Sequence, residues 1–186
     1  MSSRIGIIAL ATLFFGFSAG GFTALVSIGG QPDMGKVITH CMAQPDEFAC
    51  ALIAKSGARF QIAQTAATAQ MHDKRIRAAV IAAPGLGFTF DAAALRKVGI
   101  PLQLWHAEND VILPYRWHAE MVRSGLSRQP DYKVVARAGH FDFLSPCSAK
   151  LASVAPEICQ SQEGFDRVAF HRRFNADVIA HFKKFL

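Results

Sequence analysis

Gly16-Phe17-Ser18-Ala19-Gly20, followed by Gly21, sets a serine among small residues at the end of an uncharged apolar run. The spacing is G-x-S-x-G. Chemistry explains it: a serine on a tight strand-to-helix turn needs small neighbours for the chain to make the turn and leave the hydroxyl exposed. The amide after the serine, Ala19 N–H, then points to where an oxyanion would develop. On this reading the segment is a buried strand, a turn at Ser18 and a buried helix from Ala19 to about Ile28. Five positions alone are a weak signal. Asp110 and His140 strengthen it, because they supply an acid and a base in the chain order Ser, Asp, His.

Two other readings compete for the start of the chain. Ile5 to Gly30 carries no charged residue. With Arg4 as a charged start and Ser18-Ala19-Gly20 as a small-residue cut site, Ile5–Phe17 has the outline of a secretory signal. The run also has the length of a membrane helix, but its six glycines disfavour one. The strand–turn–helix reading is preferred because Asp110 and His140 would otherwise lack a partner.

The remaining composition narrows the classes. At 186 residues one domain is expected. The net charge of +6 comes without a long basic run. Arg172, Arg173, Lys183 and Lys184 fall on a helical stretch and read as a solvated face, so no nucleic-acid partner is expected. The four cysteines form two local pairs, Cys41 with Cys50 and Cys147 with Cys159. Local pairing is the simplest of the three possible connectivities. Reduced, buried thiols are the alternative. No C-x-x-C occurs and only His40 adjoins a cysteine, so no metal site is expected.

Strands alternate with helices after residue 16. Ala78–Ala82 reads as a buried strand closed by Pro84-Gly85, Asp91–Val98 as a helix capped by Asp91, and Pro101–Trp105 as the next strand. Trp117–Ser124 reads as a helix, Tyr132–Val135 as a strand leading to His140, and Phe165–Phe185 as a closing helix. Met34–Cys41, Glu47–Lys55 and Gln61–Met71 read as a helical excursion within about 31–76. Alternation of this kind implies an α/β fold with a parallel sheet. Ligands in such sheets bind beyond the carboxyl ends of the strands. Ser18, Asp110 and His140 each follow a predicted strand, so one edge would gather all three. Glu108 competes with Asp110 for the acid, while Asp142 lies too near His140 in sequence to support its ring. His40, His72, His106, His118, His171 and His181 read as ordinary core or surface residues, on predicted helices or beside cysteines.

Several separated blocks resemble the serine relatives of dienelactone hydrolase found in bacteria, a group also similar to platelet-activating-factor acetylhydrolases. They are Gly16–Leu25, Pro101–Asp110, Ala138–Leu144, Pro146-Cys147-Ser148, Pro156–Cys159 and Phe165–Asn175. The resemblance implies a partial α/β-hydrolase fold of about four parallel strands with flanking helices, and ester hydrolysis with no cofactor. It also implies export in many members, in keeping with disulfides and a periplasmic or secreted location. Dienelactone hydrolase itself uses a cysteine nucleophile; Ser18 stands there instead, so its substrate is not carried over. Two departures from the group stand out. Seven residues, Ala9–Phe15, intervene between the strand-like Arg4–Ile8 and Gly16. The group's first strands, and the loop that donates the second oxyanion N–H, have no counterpart before residue 4. The expectation is therefore one domain over 1–186 corresponding to the C-terminal portion of the fold, with a sheet edge that a partner or second copy could cover.

The expected activity is a Ser18-Asp110-His140 serine hydrolase with Ala19 N–H at the oxyanion. Its partner is a small-molecule ester, neutral and of short to medium length. Two rivals are a catalytically weak or inactive remnant and, if residues 1–20 are a cleaved signal, a secreted disulfide-linked binding domain. Leu86, Phe88, Phe90, Ile112, Leu113 and Phe141 are candidates for the pocket lining.

Overall fold

A computed structural model describes residues 12–56 and 71–185. The early part of the apolar run and most of the Gln61–Met71 helix lie outside the described residues. Four strands, β1 (Thr12–Phe17), β2 (Ile76–Ala82), β3 (Leu102–Ala107) and β4 (Asp131–Val135), form one sheet in the order β1-β2-β3-β4. Every pairing is parallel, with Phe17 opposite Ala82, Ala82 opposite Trp105 and Ala107 opposite Val135. The protein is therefore of the α/β class.

Eight helices are described: α1 (Ala19–Ser27), α2 (Lys36–Ala43), α3 (Phe48–Ser56), α4 (Ala92–Leu95), α5 (Ala119–Gly125), α6 (Ala149–Val154), α7 (Pro156–Cys159) and α8 (Arg167–Lys183). Strand order follows chain order, and parallel crossovers are right-handed, so the crossover helices must fall on one face. Accordingly α1, α4 and α5 cover one side of the sheet, where Leu25, Leu95 and Val122 pack with Ile81 and Leu104. After β4 the chain returns on the opposite side. There Phe170 and Phe174 of α8 pack with Val80, Ala82, Trp105 and Val135.

The strand sequences fit these places. Ala78–Ala82 and all of β3 are buried, as strands covered on both faces require. The outer strands β1 and β4 are half exposed. α1 carries no charge because Ala24, Leu25 and Val26 sit at the centre of one core. Burial of one such Leu or Val contributes roughly 1.5–3 kcal/mol. Arg172, Arg173, Lys183 and Lys184 face solvent.

Element boundaries moved in places. Asp91 caps α4 as expected, accepting from Ala94 N–H at 2.8 Å, but that helix ends at Leu95 so that Val98 can tuck into the core before β3. The short helices α6 and α7 lie in a stretch where no helix is expected from the sequence. Ser148 caps α6 and Pro156 opens α7. Among the described residues, no helix is long and apolar enough to cross a membrane.

The cysteines pair locally, Cys41 with Cys50 and Cys147 with Cys159. The first bond ties α2 to α3 and the second closes the loop that holds α6 and α7. Each short closure is worth about 2–3 kcal/mol on chain-entropy grounds.

The turn at Ser18 shows which small residues the motif needs. A Cβ at Gly16 would stand 2.3 Å from the Gly20 carbonyl oxygen, whereas a Cβ at Gly20 meets nothing within 4 Å. The tight partner on the helix side is Gly21, whose Cβ would meet Pro84 and Ile81 at 3.0 Å. Gly16→Ala is therefore expected to destabilise by on the order of 3 kcal/mol. Gly20→Ala is expected to be neutral or to stabilise by about 0.5–1 kcal/mol, since it removes a helix glycine without a clash. Urea midpoints for the two variants check the contrast, and equal losses would contradict it.

Candidate active site

All four strands point the same way, so the loops after them meet at one edge. β1 ends at Phe17 and delivers Ser18 directly. The serine has φ 56° and ψ −120°, a region that disfavours any residue with a Cβ and costs of order 1–3 kcal/mol. Backbone hydrogen bonds hold it there. Ser18 N–H donates to Ala82 O at 3.0 Å, while Ser18 O accepts from Gly21 N–H and Gly85 N–H, both at 2.9 Å. The chain is thus pinned to the end of β2 by its backbone alone, which leaves the Ser18 hydroxyl for a side-chain partner.

His140 opens a one-turn 3₁₀ helix after β4. Its Nε2 lies 3.0 Å from Ser18 Oγ and its Nδ1 lies 2.8 Å from Asp110 Oδ2. The imidazole and the carboxylate are almost wholly enclosed, with side chains 3% and 2% exposed. Phe17 packs on the ring, centroids 4.8 Å apart. Asp110 Oδ1 accepts from Ile112 N–H at 3.0 Å and Leu113 N–H at 2.7 Å. With Oδ1 committed to those amides, Oδ2 accepts from Nδ1–H. Nε2 is then left with a lone pair facing the serine hydroxyl. The arrangement can take a proton from Ser18 and stabilise the resulting imidazolium.

Ala19 is the first residue of α1 and borders the cleft beside Ser18. The first N–H groups of a helix have no intrahelical acceptor and sit at the positive end of its dipole. Glu108, the competing acid, is directed elsewhere and accepts from Arg137 N–H at 2.8 Å.

Behind His140, Asp142 anchors the turn. Its Oδ2 accepts from Gly139 N–H at 2.8 Å, and its Oδ1 accepts from Arg167 Nε at 3.0 Å and from Ser161 Oγ. The guanidinium reaches on to the Ile158 and Gln160 carbonyls. His171 Nε2–H donates to Asp142 O at 2.9 Å. The base is thereby tied to α8 and to the Cys147–Cys159 loop.

A cleft of about 310 Å³ opens at the serine, between Phe22 of α1, the Phe48, Leu52 and Ile53 face of α3, and Leu86 and Leu113. Among the described residues, no charged one borders it. Leu86 and Leu113 fall where expected, but Phe88 and Phe90 are core residues. Ile112 and Phe141 are not among the residues that border the cleft. Residues 31–76 are expected to supply part of the wall around the serine, and α3 is the part that does. Phe48 and Leu52, one helical turn apart, announce the face it presents.

Two of the remaining histidines, His106 and His40, stack on aromatic rings. His106 lies on β3, not on a helix, stacked between Tyr115 and Tyr132, with Nδ1 2.6 Å from the Tyr132 hydroxyl. Burial pulls its pKa below the ordinary value against the nearby carboxylates. His40 stacks on Phe88. His40, Glu47 and Cys50 bring ligand-type atoms within 4.8 Å of one another. The Cys50 sulfur is bonded to Cys41, however, and Glu47 Oε1 faces His118, so the set is poorly suited to a cation.

The class the fold defines is thus an α/β protein with a parallel sheet and a Ser–His–Asp hydrogen-bonded chain at its carboxyl edge. No family model matches the chain, and no curated protein matches it. Among solved structures, the esterase domain from a Rhodothermus marinus protein is similar over 69% of this chain and 50% of its own, at 14% identity and a TM-score of 0.36. The chain spans about half the length of that structure, and a likeness of this order identifies neither a family nor an activity.

Proposed function

We propose that this chain is a serine hydrolase of the α/β-hydrolase type that cleaves carboxylic esters, with Ser18 as nucleophile, His140 as base and Asp110 as the orienting acid. One observation carries the reading: the unbroken path from Ser18 Oγ through His140 to Asp110, at 3.0 and 2.8 Å, beside an apolar cleft. Ser18 Oγ adds to the ester carbonyl while its proton passes to His140 Nε2. Ala19 N–H donates to the oxyanion. Collapse expels the alcohol, which takes the proton from His140, and leaves an acyl-enzyme. Water then adds, passing its proton to His140, and the acid departs as Ser18 regains that proton. The chemistry needs no cofactor. Two disulfides fit work in an oxidising compartment.

The test is labelling by a fluorophosphonate together with turnover of p-nitrophenyl butyrate, each measured in the wild type and in Ser18→Ala. Loss of both in Ser18→Ala is expected. Absence of both from the wild type would favour an inactive scaffold.

The absence of charge among the described residues that line the cleft also sets a preference. A carboxylate placed there would be desolvated without a partner, which costs several kcal/mol. Neutral p-nitrophenyl esters are therefore expected to be hydrolysed at least about tenfold faster than an anionic lactone. Preference for the anionic lactone would contradict the substrate assignment.

A further inference from the structure

The wall made by α3 is held by something other than the disulfide. Glu47 immediately precedes that helix, and its side chain is only 4% exposed. Oε2 accepts from Ala49 N–H at 3.1 Å and Cys50 N–H at 3.3 Å, so the carboxylate caps α3. Oε1 stands 3.0 Å from His118 Nε2, on a side chain only 1% exposed. His118 Nδ1 in turn accepts from Gly87 N–H at 3.3 Å. That bond puts the ring proton on Nε2, so Nε2–H donates to Glu47. Burial pushes the Glu47 carboxyl up, but the bonds from His118 and the Cys50 N–H outweigh it, and the group stays ionised below its usual range.

Two of the elements that border the cleft are anchored in this way. Glu47 fixes α3, which contributes Phe48, Leu52 and Ile53, and Gly87 ends the loop that contributes Gly85 and Leu86. The loop packs so closely on His118 that a Cβ at Gly87 would stand 2.2 Å from the His118 carbonyl oxygen. Among the described residues, the outer part of α3 has little to hold it besides this pair and the Cys41–Cys50 disulfide, since Phe48 is 46% and Leu52 57% exposed. Glu47, His118 and Gly87 make no hydrogen bond to Ser18, Asp110 or His140.

We propose that the buried Glu47–His118 pair is the positioning element that fixes α3 across from the Gly85–Gly87 loop and so sets how long an acyl chain the cleft accepts. The proposal rests on the serine-hydrolase reading of the same cleft. A two-carbon acyl group occupies only the region at Ser18 and does not need α3. A chain of eight carbons must lie along Phe48 and Leu52, and its binding depends on where α3 stands.

Two substitutions separate the halves of the pair. Glu47→Gln has a single acceptor oxygen, so either the α3 amides or His118 lose their acceptor. His118→Asn keeps an acceptor oxygen for Gly87 N–H, but its NH₂ stops short of the place of Nε2, so Glu47 Oε1 loses its donor. The measurement is kcat and KM on p-nitrophenyl acetate and p-nitrophenyl octanoate, with the thermal midpoint followed by circular dichroism. In both variants kcat/KM for octanoate is expected to fall about tenfold through KM, while kcat on acetate stays within about threefold. A proportional fall on both esters, no change on either, or failure of both variants to fold would make the pair a general core contact and overturn the proposal. In those cases a wild type that still turns over and labels at Ser18 keeps the serine-hydrolase reading intact. A wild type that does neither removes both.

Discussion

Asp110→Asn is expected to lower kcat on p-nitrophenyl butyrate by about 10⁴-fold, the size of the loss when the equivalent acid of a serine protease is changed to its amide. The loss follows from hydrogen-bond direction. Asp110 Oδ1 accepts from two backbone amides, Ile112 N–H and Leu113 N–H. In the asparagine variant the carbonyl oxygen must stay with those donors, because the amide NH₂ cannot face them. The NH₂ then faces His140 Nδ1 and forces it to accept. The ring proton moves to Nε2, which points at Ser18 Oγ and has no lone pair left to take the serine proton. Shape and packing barely change, so the thermal midpoint is expected to move little. Steady-state kinetics and circular dichroism on the same preparation check both halves. A fall of less than tenfold would mean that His140 does not act through Asp110.

Arg167→Met is expected to destabilise the protein by about 3–5 kcal/mol, measured as a shift of the urea midpoint. Arg167 and Asp142 are a buried pair, with side chains 7% and 2% exposed. Removing one partner of such a pair strands the other charge in a low-dielectric site. Asp142 also holds Gly139 N–H, the residue before His140. Hydrolysis should therefore be lost at temperatures where the variant still folds. Adding Asp142→Asn removes the stranded charge and is expected to restore about 1–2 kcal/mol. A loss under 1 kcal/mol in the single variant would show that water reaches Asp142 and screens it.

Sequence alone carried much of the sheet. The core strands Ala78–Ala82 and Pro101–Trp105 are short apolar runs punctuated by Pro84-Gly85 and Gly99, and a strand buried on both faces leaves that mark. Helix caps were legible at Asp91, where a short side chain precedes an alanine run. The short helices α6 and α7 were not, because a four- to six-residue helix has too few turns to show a period. Ser18, Asp110 and His140 could be singled out because each follows a strand that the pattern reveals. The walls of the cleft were legible only in part: Leu86 and Leu113 line it as expected, but Phe88 and Phe90 carry the same local signal as Phe22 and Phe48. Only their burial separates core from lining.

The same division runs through the charged residues. Chain order and the turn chemistry around Ser18 were enough to nominate a nucleophile, an acid and a base, and local cysteine spacing was enough to nominate the two disulfides. These are short-range properties, written in neighbouring residues. Glu47 with His118 and Asp142 with Arg167 are different. They are separated by 71 and 25 positions, and nothing near either residue announces its partner. A buried charge is tolerated only where a distant group meets it, and that meeting exists only once the sheet has brought α3 beside α5 and α8 beside the turn at His140.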